Sequence, residues 1–231
     1  MLRRRSAIAV LVAGLVGLLS GCTSSADSGA QLPDGAALVS ASAEALTQLH
    51  SVRFKLGVSG TIPGLPIRQI DGDATLTGSP NGTAKGHADM QEAIDRFQVD
   101  YVLKDGKLFL TRTDGTHEEV PAQPEYLPSA LLEASGGLHR LLTGATTFKT
   151  EVKEKLGDVA TYRVAAKLPK AVISSVIPGI QSDVDVKFWV EQADSRRLMR
   201  VWMQVPPIVA NEGAVMLELA LSNLNEPVST P

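Results

Sequence analysis

Apolar positions along this chain change period repeatedly, and the changes mark its elements. Over residues 35–50, Leu38, Ala41, Ala45, Leu46 and Leu49 recur at threes and fours, the spacing of one helix face. Asp34, after Pro33, supplies the N-cap. The period then drops to two. Val52, Phe54, Leu56 and Val58 alternate with Arg53, Lys55, Gly57 and Ser59, which predicts a strand with one dry and one wet face. Thr61-Ile62-Pro63-Gly64-Leu65-Pro66 breaks that strand, another runs over 70–77, and Ser79-Pro80-Asn81-Gly82 turns the chain into a weaker strand over 83–90.

Residues 97–112 form the clearest hairpin. A two-residue turn at Asp105-Gly106 sets Lys104 opposite Lys107, Leu103 opposite Leu108 and Tyr101 opposite Leu110, with Val99 and Phe97 on the same face. Two like charges facing each other favour an exposed turn. Residues 118–128 read as a proline-rich loop, and 129–142 as two short helical pieces joined across Gly136-Gly137. A hairpin of 148–154 and 160–168 crosses Gly157-Asp158. Pro169 opens a short helix over 170–177, which Pro178-Gly179 ends. Strands at 184–190, 197–205 and 214–224 follow, the last after an Asn211-Glu212-Gly213 turn. Successive strands with few interposed helices predict an α+β domain with an antiparallel sheet.

The N-terminus has a different character. Arg3, Arg4 and Arg5 precede a mostly apolar run over 7–19 that is too short for a stable spanning helix. Leu19-Ser20-Gly21 then leads into Cys22, the one cysteine of the chain. A basic start, an apolar stretch and a small-residue triplet ending in cysteine are the signature of a bacterial lipoprotein. Residues 1–21 read as signal peptide and Cys22 as the acylated first residue. Residues 22–32 read as a lipidated flexible tether, 33–226 as the folded domain and 227–231 as a disordered tail. The expected address is the extracytoplasmic side of the cell membrane, with the cell wall as a further location. Two or more acyl chains make such an anchor durable without a basic patch.

The formal net charge of −3 becomes more negative when the leader's arginines are removed, so nothing electrostatic favours nucleic acid. Without a second cysteine, stability rests on packing. His50, His87, His117 and His139 show no metal-ligand spacing, and no nucleophile elbow, zinc-protease motif or phosphate-binding glycine loop is present. Asp71-Gly72-Asp73 resembles the start of a calcium loop but lacks the later glutamate, and reads as a turn. Glu118-Glu119 and Asp183/Asp185 are acid/base candidates that read more simply as solvated positions. The expected catalytic, metal and cofactor sets are therefore empty. Two of the five stripe residues over 35–50 are alanine, which leaves room between helix and sheet or fits a plain small-residue core. The pattern alone leaves both open.

Several segments together resemble the LppX/LprA/LprF/LprG family of mycobacterial lipoproteins, with LprG-like members nearest. They are the lipobox Leu19-Ser20-Gly21-Cys22, Leu32-Pro33-Asp34 opening the first helix, and Val58-Ser59-Gly60-Thr61-Ile62-Pro63-Gly64-Leu65 with Gly72-Asp73 downstream. The others are residues 126–132, Gly137-Leu138 and Phe188-Trp189-Val190-Glu191. The resemblance implies a curved antiparallel half-barrel with helices packed in its concave face around a hydrophobic cavity. It implies a carrier of acylated lipid (triacylated glycolipid, lipoglycan or triacylglycerol) toward the outer envelope, a major facilitator superfamily transporter as partner, and no enzyme activity. The dry-face residues Val58, Leu76, Val99, Tyr101, Leu110, Phe188 and Val190, with Leu46, Leu131 and Leu141 from helices, are the expected lining. The alternative is a structural or partner-binding lipoprotein subunit of an efflux transporter, with a filled core.

Overall fold

The computed structural model of the chain describes residues 31–92, 94–207 and 213–228. The leader, Cys22 and nearly all of the expected tether lie outside these residues, as do Asn211 and Glu212 of the expected turn. Helix α1 spans Gly35–Leu46, and its first turn is capped by Asp34, whose Oδ1 accepts from the Ala37 amide at 2.8 Å. It ends four residues earlier than the periodicity predicts. The backbone at His50 is already committed to the sheet: its amide donates to Asn225 Oδ1, and its carbonyl accepts from the Leu76 amide and the Thr75 hydroxyl.

Six strands follow: β1 Ser51–Ser59, β2 Ile67–Thr75, β3 Thr83–Glu92, β4 Asp95–Lys104, β5 Lys107–Arg112 and β6 His117–Pro121. A 3-10 turn at Pro124–Tyr126 leads to α2 Pro128–Leu132 and α3 Gly137–Gly144. The second series is β7 Thr146–Leu156, β8 Val159–Leu168, the one-turn helix α4 Lys170–Ile173, β9 Val184–Glu191, β10 Leu198–Val205 and β11 Val215–Ser222. The eleven strands among the described residues join one antiparallel sheet in the order β6-β5-β4-β3-β2-β1-β11-β10-β9-β8-β7. Two meanders are thus joined where the first strand meets the last, with β6 and β7 at the two edges.

The α+β antiparallel reading holds, and so does the hairpin register at Lys104 and Lys107. The facing lysines are relieved by Glu119, which meets Lys107 at 2.6 Å. Three expectations are corrected. Residues 117–121 are strand and not loop: an edge position tolerates Pro121, and Glu118 and Glu119 project beside Arg112 and Lys107. The helix after Pro169 has four residues, with Asp183 Oδ1 accepting from its Lys170 amide. Asp71-Gly72-Asp73 is not a turn but the middle of β2.

That last segment explains the curvature. Gly72 faces Gly86 across β2 and β3, and Tyr101 continues the row on β4. A Cβ at Gly72 would meet the Lys85 carbonyl oxygen at 2.2 Å and the Tyr101 hydroxyl at 2.5 Å. Two residues without side chains let the strands approach on this face, and the sheet bends toward it. The edge strand β7 carries two register shifts and a run of lysines, which discourage pairing with another chain.

Candidate functional site

The ladder pairing gives the inner face directly. One row crosses eight strands, from Val164 through Phe188, Val201, Leu219, Leu56, Ile70 and Ala88 to Val99. It ends at Arg112 on β5. A second row runs Leu221, Phe54, Gly72, Gly86, Tyr101, Leu110. Val58 and Val190 belong to neighbouring rows on the same face. Six of the seven expected strand residues therefore share one face, and Leu76 lies just past the end of β2.

The helices divide these residues. α1 lies against β7 to β10: at Gly35 a Cβ would stand 3.0 Å from Val164, and the Thr150 hydroxyl donates to the Pro33 carbonyl at 2.7 Å. Leu38, Val39, Ala43 and Leu46 fill this contact, and Phe188, Val190 and Leu141 are fully enclosed in the same half. On the other half the apolar face is less covered. Val58, Val99 and Tyr101 are buried, but Leu76, Leu110 and Leu131 are only half-buried. Phe54, Leu56 and Ile70, absent from the expected lining, are half-buried beside them. Their alternation was visible in the sequence; their position between the halves required the β1–β11 pairing.

The Ser42 and Tyr101 hydroxyls lie in this apolar interior. The Ser42 hydroxyl of α1 is buried without a hydrogen-bond partner. The Tyr101 hydroxyl has only a long bond, 3.4 Å, to the Asp71 carbonyl. Burial, followed by the charges of Asp71 and Asp73, raises the Tyr101 phenol above its ordinary range and keeps it a neutral donor. No sequence signal pointed to Ser42.

Two depressions, of about 790 and 360 Å³, lie on the opposite, polar face. The larger is a furrow across β11 and β1 to β4, between the row Ser222, Arg53, Asp73, Lys85, Val102 and the row Ala220, Lys55, Asp71, His87, Asp100. Charged side chains rim both, and the row Leu221, Phe54, Gly72, Gly86, Tyr101 forms the floor of the larger. The acid/base candidates do not converge. Glu118 pairs with Arg112, Glu119 with Lys107, Asp185 with Lys167, and Asp183 caps α4. Among the described residues no three histidine, cysteine or acidic side chains gather as a metal site, and no helix is long and apolar enough to cross a membrane.

A curved, open antiparallel sheet whose apolar face is covered by a few short helices defines a known lipoprotein architecture. The chain belongs to the LppX_LprAFG lipoprotein family, whose sequence model matches residues 34–230. It is 30% identical over 206 residues to the "Lipoarabinomannan carrier protein LprG" of Mycolicibacterium smegmatis, covering 85% of each chain. A relative of the same name from Mycolicibacterium hassiacum is 28% identical, covering 99% of this chain and 97% of its own. Among solved structures, LprF of Mycobacterium bovis superposes with a TM-score of 0.73 at 21% identity, covering 88% of this chain and 98% of that one. LppX of Mycobacterium tuberculosis gives 0.66 at 21% identity, covering 85% and 97%. The fold is theirs, and the family is one of lipoproteins that includes named carriers.

Proposed function

We propose that the protein is a membrane-anchored carrier that takes the acyl chains of a lipid between its inner sheet face and its helices. The observation that carries this reading is the group of half-buried apolar residues Phe54, Leu56, Ile70, Leu108 and Leu110 on the inner face of β1, β2 and β5, beside a half that α1 covers more completely. The ligand is an acylated glycolipid, lipoglycan or triacylglycerol, moved toward the outer envelope. The walls proposed are Val58, Leu76, Val99, Tyr101, Leu110 and Leu131, with Leu46, Leu141, Phe188 and Val190 as the packed floor beneath the helices. Cys22 carries the anchor, and a major facilitator superfamily transporter is a proposed partner.

The energetics suit exchange with a membrane. Two acyl chains of about sixteen carbons hold about thirty methylenes, which against water represent about 24 kcal/mol. That exceeds the practical ceiling of about 18–21 kcal/mol for non-covalent binding. A carrier that draws lipid from a bilayer never makes the exchange with water. Its walls need only solvate chains about as well as a bilayer does, and loosely packed aliphatic residues do so while permitting release. The Tyr101 hydroxyl stands on this face as a donor for a polar atom of the lipid.

Val99→Trp and Leu110→Trp place bulk on the proposed wall. Each is expected to lower the lipid that co-purifies by more than half, with the circular dichroism spectrum unchanged. Unchanged lipid in both folded variants would contradict the assignment. The filled-core alternative has one observation in its favour, the complete burial of Phe188 and Val190. It predicts no lipid in the wild-type protein.

A further inference from the structure

The inner face of β1 to β4 is graded from one end of the sheet to the other. At one end the row Val52, Ala74, Ala84, Leu103 is fully buried. That end is closed by α2, where Pro128 packs against Gly82 and the Ser129 amide reaches the Asn81 carbonyl. At the opposite end the row Ile67, Met90, Phe97 is only half-buried. Beyond it, in the turn between β3 and β4, Ile94 is 93% exposed. A large aliphatic side chain thus stands at a hairpin tip, where Gly, Pro, Asn, Asp and Ser are the rule. At the β1–β2 connection the chain is closely packed. Ile62 and Leu65 are buried, and Gly179 sits so close to Pro63 that a Cβ would meet its carbonyl oxygen at 2.0 Å. Among the described residues, the half-buried apolar row at this end lies on β2, β3 and β4.

We infer that this end is the mouth of the carrier and that it docks on a lipid bilayer with Ile94 inserted; the inference rests on the carrier reading. The apolar strip from Ile94 through Met90 and Phe97 to Ile70 and Val99 gives an acyl chain a continuous path from the membrane to the inner face. Arginines surround the strip. Arg112 lies over the Phe97 ring at 4.5 Å, Arg96 pairs with Asp89, and Arg68 donates to Gln91. Such side chains rest their stems on apolar surface and hold their charge at headgroup depth. Glu92 and Asp95 flank Ile94, so the local charge is nearly balanced and insertion is driven by apolar contact. A protein partner fits this tip poorly, since a stable interface covers about 800 Å² on each side. A bilayer accepts a single side chain. The anchor permits the pose: the ten residues 23–32 can span about 35 Å, and the domain end of the tether is held at Thr150, on the half of β7 nearer the mouth.

The test uses the mature acylated protein on vesicles of phosphatidylcholine and phosphatidylglycerol. Acylation blocks Cys22, so Ile94→Cys provides a single labelling site for an environment-sensitive nitrobenzoxadiazole probe. Its emission is expected to shift to the blue on vesicles, with little effect of salt. With a pyrene-labelled triacylglycerol in the vesicles, Ile94→Asp is expected to slow loss of excimer emission by about tenfold or more. The lipid finally bound per protein, counted by mass spectrometry, should not change. Phe109→Asp, at an exposed apolar position on the polar face, should alter neither quantity. A probe that stays in water, an Ile94→Asp protein that fills at the wild-type rate, or equal slowing by Phe109→Asp would each overturn the mouth assignment. A wild-type protein that binds no lipid would instead remove the carrier reading on which it rests.

Discussion

At Gly86 a Cβ would stand 1.8 Å from the Asp71 carbonyl oxygen and 2.6 Å from the Gly72 Cα. No side-chain movement relieves a clash with backbone. Gly86→Ala should therefore cost about 3 kcal/mol or more, read from urea unfolding. Gly57→Ala, where a Cβ meets nothing within 4 Å, should stay within about 0.5 kcal/mol of wild type. Equal midpoints for the two variants would remove the bend from the explanation of the fold. These glycines show where local reading stops. Asp71-Gly72-Asp73 has the composition of a turn, and only the strand packed against it reveals a close approach. Lys104 and Lys107 were legible because the Asp105-Gly106 turn between them, with both residues at positive φ, fixes their register.

The connection between β9 and β10 is tied by Glu191. Its Oε2 accepts from Arg197 Nε at 2.7 Å and from the Ser195 hydroxyl at 2.6 Å, while Arg196 at positive φ donates to the Gln192 carbonyl. The Arg197 hydrogen bond, with that of Ser195, holds the Glu191 carboxyl below its ordinary range against the opposing effect of burial. A depressed carboxyl stabilises the fold above the carboxylate range of the unfolded chain, and that contribution fades as pH falls through the folded value. Glu191→Ala should lose about 1–2 kcal/mol at pH 7 and show a shallower decline toward pH 3 in urea titrations. An unchanged acid limb would assign the pH dependence to other groups. The strands themselves were legible wherever one face is wet, because burial on a single face writes a period of two. β6 was not: its five residues carry two glutamates and a proline, and it is a strand only because β5 offers a partner.

For the whole molecule, the antiparallel succession could be read along the chain, but the joining of β1 to β11 could not. That pairing sets Arg53 beside Ser222 and turns two meanders into one continuous apolar face. The cavity candidates were legible as a dry face; their division into a closed half under α1 and a half-covered half depended on where the helices land. The proposed anchor belongs to the same scale. Cys22→Ala should remove acylation and transport in the cell while purified protein still binds triacylated lipid. Loss of binding as well would make the anchor part of the site. Gentle purification of the acylated protein from its native membrane, followed by solvent extraction and mass spectrometry of the non-covalent lipid, tests whether it is a carrier. A carrier yields about one acylated lipid per protein, and a protein that yields none is not one.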